Sequence, residues 1–300
     1  MLAGMTTNTL PRTGHRSAQL IAASERMTLD PFTEIDWATP IDDRAYHLPP
    51  ERLPLYGTAH WEAMTPAARI TYSRHECAAL CGAGIWFENK LMQLVLQHLA
   101  ELPVDSPAHR YLLLEVADEC RHSIMFGEYI RRAGTPTYGP RADAGALDAL
   151  DDVPGQRALG YVLILAVEEL LDAINRDTMK DDRIHPVSRH IAKLHVAEEA
   201  RHVSFAKTYL AEVWPTLDEE EWRAVRSLAP TAVAIVADLT IDPAVYETLG
   251  IVGGEEDARA NPHHRGRVVE GLAKLTSFLQ QLSVIDDAST PTWRELGLVA

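Results

Sequence analysis

Two short segments of the chain carry the same pattern of side chains that can bind metal. Residues 117–122 read Ala-Asp-Glu-Cys-Arg-His, and residues 197–202 read Ala-Glu-Glu-Ala-Arg-His. In each segment a glutamate precedes a histidine by three positions, which gives the pairs Glu119–His122 and Glu199–His202. On an α-helix this spacing brings both side chains onto one face. A carboxylate and an imidazole on the same face can bind one iron ion together.

Further glutamates could complete a site for two metal ions. Glu88 precedes the first pair, and Glu168 and Glu169 follow the apolar run Tyr161–Val167 ahead of the second pair. In di-iron carboxylate bundles, two helices each supply a Glu-x-x-His pair and two others each supply one Glu. Four glutamates balance the charge of two divalent ions. Without metal, such buried carboxylates would have to be protonated or paired.

A third imidazole lies within reach of the second pair. His195, Glu199 and His202 are spaced i, i+4 and i+7, so they fall within about 60° of arc on a helix. The alternative for His195 is a histidine satisfied within the core. A single Glu-x-x-His often occurs by chance on a solvated helix face, but two copies with matched neighbours favour a metal site.

Charged residues beside the two pairs could orient their histidines. Metal-bound histidine usually donates its second N–H to a carboxylate, and Asp118 and Glu198 each precede a paired glutamate. Arg121 and Arg201 could pair with these acids across the bundle. The alternative is a solvated face of mixed charge.

The elements that position these residues are predicted to be helices, so the fold class is all-α. Four long helices are expected, at Pro66–Leu102, 106–133, Gln156–Met179 and Pro186–Trp214, with a possible bend near Gly82 and Gly84. Thr216 and Glu219 suggest a capping box for a fifth helix. Two or three more helices are predicted between Asp242 and Leu298, with a break at Asn261-Pro262.

The rest of the chain is predicted to surround this bundle. Residues 1–29 are expected to be a disordered tail, and residues 30–300 a single domain whose ligand helices span about 66–214. The proline-rich segment Asp30–Trp61 is expected to be an ordered arm, and Thr135–Gly155 a connection.

Composition excludes several classes of function. The 300 residues carry a formal net charge of −15, which disfavours binding to nucleic acid or to an anionic membrane surface. The longest strictly apolar run, Tyr161–Val167, is too short for a bilayer, which needs about 20 residues. Three cysteines, Cys77, Cys81 and Cys120, do not form a disulfide framework, so a cytoplasmic location is expected. Cys77 and Cys81 lie one helical turn apart, which only weakly suggests a soft-metal site.

The two matched segments, His195 in Leu-His-Val-Ala-Glu-Glu-Ala-Arg-His and the Ile184-His185-Pro186 entry to that helix resemble the p-aminobenzoate N-oxygenase family. The resemblance covers roughly residues 65–230 and implies a ferritin-like bundle with four Glu and three His ligands. In the family the third-helix Glu precedes the extra His by 27 positions, which favours Glu168 over Glu169. The implied ligands are Glu88, Glu119, His122, Glu168, His195, Glu199 and His202.

The same resemblance implies an oxygenase that uses two Fe ions, with Mn as an alternative, to activate O2 and oxygenate an arylamine. No Gly-x-Gly-x-x-Gly fingerprint occurs, so electrons would come from a separate reductase or another external donor. A homodimer is implied by the resemblance alone. Trp86, Phe87 and Phe126 could line a substrate pocket, although core packing is the alternative.

Two other functions fit the same residues. A di-iron C–H hydroxylase or desaturase would act on an acyl or carrier-bound substrate. A ferritin-like iron-storage protein would need a cage of many subunits, which the arm and the C-terminal helices disfavour.

Overall fold

The computed structural model describes residues 10–139, 147 and 152–299, and these residues form an all-α fold. The helices are α1 Pro11–Arg26, α2 Pro31–Glu34, α3 Ala59–Ala63, α4 Pro66–Leu99, α5 Pro107–Ala133, α6 Gln156–Thr178, α7 Pro186–Val213, α8 Glu219–Asp238, α9 Pro243–Leu249, α10 Gly254–Ala260, α11 Pro262–Gln281 and α12 Thr290–Glu295. Extended pairing among these residues is limited to one isolated bridge between Tyr46 and Ile184. The predicted connection Thr135–Gly155 lies partly outside the described residues.

Local signals start and stop the four long helices. The side chains of Thr65 and Ser106 cap α4 and α5 by accepting backbone N–H groups, and a proline follows each cap. Gly134 ends α5 in the left-handed conformation, with φ 64°, which glycine adopts without strain. The long helices therefore lie within one to three residues of their predicted ends.

The four long helices form two antiparallel hairpins, α4 with α5 and α6 with α7, and these hairpins pack face to face. Gly82 and Gly84 stay within the continuous helix α4. A Cβ atom at Gly84 would lie 3.1 Å from the Phe126 ring of α5, so this glycine allows a close approach of the two helices. Helices α8 and α11 cover the outer side of α6.

The predicted disordered tail is wrong for most of its length, because residues 11–26 form helix α1 against α5 and α7. Leu20 and Ile21 are buried in the main core. Thr13 also donates its backbone N–H and its hydroxyl to Glu212 of α7, both at 2.7 Å. These apolar residues fall on one helical face, which the polar composition of the segment obscured. Residues 1–9 lie outside the described part of the chain.

The proline-rich arm and the C-terminal helices pack on the bundle together. Leu53 and Leu55 of the arm are fully buried. Asn261 accepts the backbone N–H of His263 to cap α11, and its side chain donates to the carbonyl oxygens of Pro54 and Tyr56 at 2.7 and 2.9 Å. The predicted break at Asn261-Pro262 is confirmed, and this asparagine also ties the arm to α11.

Two predictions about the C-terminal part are wrong. The capping box of α8 is formed by Asp218 and Glu221, because the chain first makes a 3-10 turn over Trp214–Thr216 that delays the helix. Four helices, α9–α12, follow where two or three were predicted, since left-handed glycines at 250 and 253 interrupt the chain there.

The stretch Glu219–Leu249 is long and apolar enough, by length and composition, to cross a membrane. It consists of α8, a turn and α9. Val225, Val233 and Val236 of this stretch are buried in the main core, a pattern that a core helix also produces.

Candidate metal centre

The seven predicted ligands lie at one level of the bundle, one or more on each long helix. All seven are buried, with at most 2% of any residue exposed. Glu88 comes from α4, Glu119 and His122 from α5, Glu168 from α6, and the last three from α7. Each Glu-x-x-His pair faces inward because three residues make nearly one helical turn.

Six of these side chains form two groups whose potential ligand atoms lie within 4.8 Å of one another. The first group contains Glu88, His122, His195 and Glu199, and the second contains Glu119, Glu199 and His202. Glu199 belongs to both groups, which is the position a carboxylate bridging two cations would take. Glu168 lies outside these groups but borders Glu199, Glu88 and Glu119.

The inward nitrogen atoms of His122 and His202 each contact one carboxylate on α5 and one carboxylate on α7. His122 Nδ1 lies 2.8 Å from Glu119 Oε2 and 3.0 Å from Glu199 Oε1. His202 Nδ1 lies 2.9 Å from Glu119 Oε1 and 2.8 Å from Glu199 Oε2. His195 Nε2 is 3.6 Å from Glu88 Oε1.

Several of these buried atoms have no hydrogen-bond partner among the described residues. They are both carboxylate oxygens of Glu88, Oε2 of Glu168 and Nε2 of His195. Oε1 of Glu119 and Oε1 of Glu199 have only the imidazole contacts given above, whose angles are not those of a hydrogen bond. Buried polar atoms are nearly always satisfied in folded proteins, so such a concentration requires an explanation. Oxygen and imidazole donors facing a common centre fit Fe or Mn ions.

The outward nitrogen atoms of the three histidines each have a partner. His122 Nε2 lies 3.0 Å from Glu198 Oε2, and His202 Nε2 lies 3.3 Å from Asp118 Oδ2. Each acid therefore orients the histidine of the opposite matched segment. The amide nitrogen of Asn175 lies 3.2 Å from His195 Nδ1, and a 180° turn of the amide would place its oxygen there instead. If Nε2 binds a cation, Nδ1 must carry the proton, which it would donate to the amide oxygen of Asn175.

The predicted arginine pairing is also present. Arg201 donates to Asp118 at 3.0 Å, and Arg121 contacts the same carboxylate. Glu198 lies 3.6 Å from Arg201 and 3.7 Å from Arg121. Asp118, Glu198 and Arg201 are buried and Arg121 is half-buried, so two acids and two arginines form a charge-balanced cluster, and the alternative of a solvated face is wrong.

Burial and close contacts shift the pKa values of the cluster residues in different directions. Burial raises the pKa of Glu119 to about 8, and burial next to other carboxylates raises the pKa of Glu168 well above its usual range. Burial opposes the charge on His122 and His202, but hydrogen bonds and charges of the neighbouring glutamates outweigh it and raise the pKa of both imidazoles. Burial likewise opposes ionisation of Glu199, yet the nearby histidines hold its pKa well below normal.

The adjacent glutamates of α6 lie in different surroundings. Glu168 borders Glu199 and the other cluster carboxylates, whereas Glu169 pairs with Lys207 of α7 and lies 3.6 Å from Lys274 of α11. Successive helical residues differ by about 100° in direction, so only one of the two can face the cluster.

Two residues near the cluster were missed by the sequence reasoning. Glu115 is buried one turn before Glu119, and burial raises its pKa to about 7. Asn175 lies two turns after Glu168 on the same face of α6. Glu115 precedes the proposed ligand Glu119 by four positions, and Asn175 follows Glu168 by seven. These helical spacings could have predicted both residues from the sequence.

The remaining candidates occupy different places. The Phe126 ring lies 5.3 Å from the His195 ring, while Trp86 and Phe87 line a cavity that reaches Glu168. Cys77 and Cys81 are buried but belong to no potential metal group within the described residues.

These features define a class of protein: a ferritin-like helical bundle with a buried carboxylate and histidine cluster suited to metal. A family model described as p-aminobenzoate N-oxygenase AurF matches residues 11–283. The chain belongs to this family, which is one of di-iron oxygenases.

The chain is also similar to proteins of two mycobacteria, whose names state no reaction. Uncharacterized proteins of Mycobacterium bovis and Mycobacterium tuberculosis are 30% identical to this chain over 207 residues. The match covers 67% of this chain and 61% of each relative, so the chain spans less than two thirds of their length.

Proposed function

We propose that this protein is a di-iron oxygenase that activates O2 and oxygenates the nitrogen of an amine substrate. The observation that carries the proposal is the convergence of seven buried side chains from four helices, with unpartnered ligand atoms facing one another. Their role as ligands remains a prediction. Two bound iron ions would supply the redox chemistry that O2 activation requires.

The residues around the cluster would prepare it for this chemistry. Glu198 and Asp118 would hold His122 and His202 in the tautomer that leaves the inward nitrogen free for a cation, and Asn175 would do the same for His195 with its amide oxygen turned toward the ring. The seven side chains are buried, which would limit the access of water to the reaction.

The cavity bordered by Glu168 would admit the substrate. Its lining includes Trp86, Phe87 and Val167, and it reaches the cluster between α4 and α6. An apolar cavity next to a buried metal cluster is the usual arrangement for a small-molecule site.

The test combines metal analysis with product analysis. The full chain is loaded with Fe(II) without oxygen, elemental analysis is expected to find about two irons per chain, and O2 is added with a panel of arylamines. Hydroxylamine or nitro products detected by mass would support the proposal. The variant His195→Ala should alter the optical spectrum after O2, while Glu169→Gln should not. A chain that binds no iron, or that gives no oxygenated amine while consuming O2, would contradict it.

A second candidate function is C–H hydroxylation or desaturation of an acyl or carrier-bound substrate. The apolar lining of the same cavity favours it. Product masses from panels of fatty acids and thioesters would separate the two reactions.

We also propose the partners expected from the sequence. An external electron donor such as a separate reductase would reduce the iron, and the protein would act in the cytoplasm as a homodimer without binding nucleic acid or a membrane. Mn could replace Fe, since both ions suit these ligands.

A further inference from the structure

A small cavity lies between the four long helices at one end of the candidate metal cluster. Its α4 residues precede Glu88 and its α7 residues precede His195, whereas its α5 residue follows His122 and its α6 residues follow Glu168. Because α4 and α5 run antiparallel, as do α6 and α7, all of these positions lie on the same side of the cluster. The arm lines the end away from the cluster with Leu48 and its neighbour.

The cavity that borders Glu168 lies mainly on the opposite side of the cluster, since most of its lining residues follow Glu88 on α4 and precede Glu168 on α6. The two cavities differ in size: the one that borders Glu168 has a volume of about 100 Å³, and the small one has about 30 Å³. By this measure about 10–15 Å³ holds one water-sized molecule. The small cavity therefore has room for a diatomic molecule but not for an aromatic ring.

Two residues that line the small cavity also contact the proposed ligand His195. The centre of the Phe126 ring lies 5.3 Å from that of His195 and 6.4 Å from that of His122. The amide nitrogen of Asn175 lies 3.2 Å from His195 Nδ1. Both histidines belong to the first of the two ligand groups. A molecule in the cavity is therefore separated from this half of the proposed metal site by a single layer of side chains.

The lining of the small cavity is mainly apolar. Its polar side chains already have partners: Ser188 Oγ lies 3.3 Å from His47 Nδ1, and Thr178 donates its hydroxyl to a backbone carbonyl oxygen of α6 at 2.8 Å. Cys77 and Cys81 are buried thiols, which behave as small apolar groups. A buried water molecule needs about two to four polar partners, whereas apolar cavities stay dry and take up apolar molecules such as xenon. This lining therefore favours a small apolar molecule over water.

We propose that this cavity is a docking site for O2, from which O2 reaches the metal site past the ring of Phe126. O2 is an apolar diatomic molecule, so its transfer from water into an apolar cavity is favourable. The inference rests on the proposed function, in which O2 is the co-substrate. It gives O2 a place separate from the cavity proposed for the amine, so that both molecules would be present at once.

Docking of O2 can be measured on the metal-free chain, which separates this inference from the oxygenase proposal. The full chain, labelled with nitrogen-15, is placed under O2 pressure, and the relaxation of each amide proton is recorded by NMR against the same pressure of N2. Because O2 is paramagnetic, amide protons beside a docked molecule relax faster. We expect the enhancement at Gly84, Leu171 and Ile191, which line the cavity, to exceed that at the buried core residues Ala166 and Leu210 at least about twofold. An enhancement no larger than at these two core residues would overturn the inference.

Variants locate the docked molecule. Cys81→Leu places additional carbon atoms in the cavity and should remove the enhancement at Gly84. Cys120→Leu is the matched control, because this cysteine is exposed on α5. Since a larger side chain at position 81 could disturb folding, which circular dichroism checks, Ile191→Phe fills the cavity from α7 and should have the same effect. An enhancement that persists at Gly84 in the folded variants would place O2 elsewhere and overturn the inference.

The reaction of the iron-loaded chain with O2 tests whether the docked molecule is on the route to the metal. Cys81→Leu should slow this reaction at least about fivefold in stopped-flow measurements and leave the affinity for Fe(II) unchanged, and Cys120→Leu should react at the parent rate. An unchanged rate for Cys81→Leu would show that O2 reaches the metal by another route, which contradicts the inference. If O2 docks in the metal-free chain but the iron-loaded parent does not react with it, the proposed oxygenase function fails while the docking site stands.

Discussion

At the scale of single residues, the histidines of the cluster have partners on the side away from the proposed metal site. His122 and His202 each contact an acid of the other matched segment: His122 contacts Glu198, and His202 contacts Asp118. Such partners fix the ring and its tautomer, and their loss typically costs about tenfold to hundredfold in metal affinity.

We therefore predict that Glu198→Gln weakens iron binding by about tenfold to hundredfold, because an amide is a poorer acceptor for the N–H of His122. The measurement is a competition titration with a chelator under anaerobic conditions. Glu169→Gln is the matched control, since this buried glutamate pairs with Lys207 outside the cluster. Equal iron affinity of Glu198→Gln and the parent chain would show that Glu198 does not orient His122 for metal binding.

The protonation of the metal-free cluster predicts how metal binding depends on pH. Glu119, Glu168, His122 and His202 all have raised pKa values, so each must lose a proton before it can bind a cation. Metal affinity should fall as pH decreases below about 8, where the pKa of Glu119 lies. Binding should release up to about four protons per chain. Calorimetric titrations in buffers of different ionisation enthalpy count these protons, and a release of none would contradict the assignment.

At the scale of elements, α1 is part of the bundle rather than a tail. Leu20 and Ile21 lie in the core beside α5 and α7. Burial of this face contributes to stability, which a disordered segment could not do.

Leu20→Ala should accordingly lower the free energy of unfolding by about 2–5 kcal/mol, as expected for a buried leucine. Chemical denaturation measures the change. Gln19→Ala, on the exposed side of the same helix, is the control and should change stability by less than about 0.5 kcal/mol. Equal effects of the two substitutions would show that α1 does not pack as described.

A buried acid joins α4 to α9. Glu76 is buried beside Tyr72 and Tyr246, and burial raises its pKa to about 8. Because the folded-state pKa exceeds the unfolded value, the neutral acid contributes stability below pH about 4.5, and this contribution is lost as pH rises through about 8.

Replacement by glutamine should remove this dependence. Glu76→Gln should have nearly the parent stability near pH 5 and a higher melting temperature than the parent at pH 9, because the amide cannot ionise. Thermal denaturation of both proteins across this range tests it. A difference that stays constant with pH would exclude ionisation of Glu76 as the cause.

At the scale of the whole molecule, the proposed metal ligands come from both helical hairpins, so a bound metal ion should stabilise the entire bundle. A ligand that binds only the folded state adds about 2.7 kcal/mol at a free concentration of 100 times its dissociation constant. Fe(II) or Mn(II) should therefore raise the melting temperature of the metal-free chain by several degrees, whereas Mg(II) should not, because the site contains imidazole. An equal effect of all three ions would argue against this cluster as the binding site.

Much of the fold and of the candidate site followed from local patterns. Glu119, His122, Glu199 and His202 could be placed on helix faces because the helical repeat is fixed by backbone hydrogen bonds. Pro66, Pro107 and Pro186 marked helix starts for an equally local reason: proline suits the first turn of a helix.

Other features needed the tertiary structure because they depend on contacts between residues distant in the sequence. The direction that separates Glu168 from Glu169, the bond between Asn175 and His195, and the cavity between α4 and α6 all require two helices to meet in one register. Helix α1 was not predicted because its short apolar face stabilises the helix only when it packs against α5 and α7. The sequence by itself determined which side chains could bind metal and on which helix faces they lie. The tertiary structure decided which of them meet, because this depends on how the helices pack.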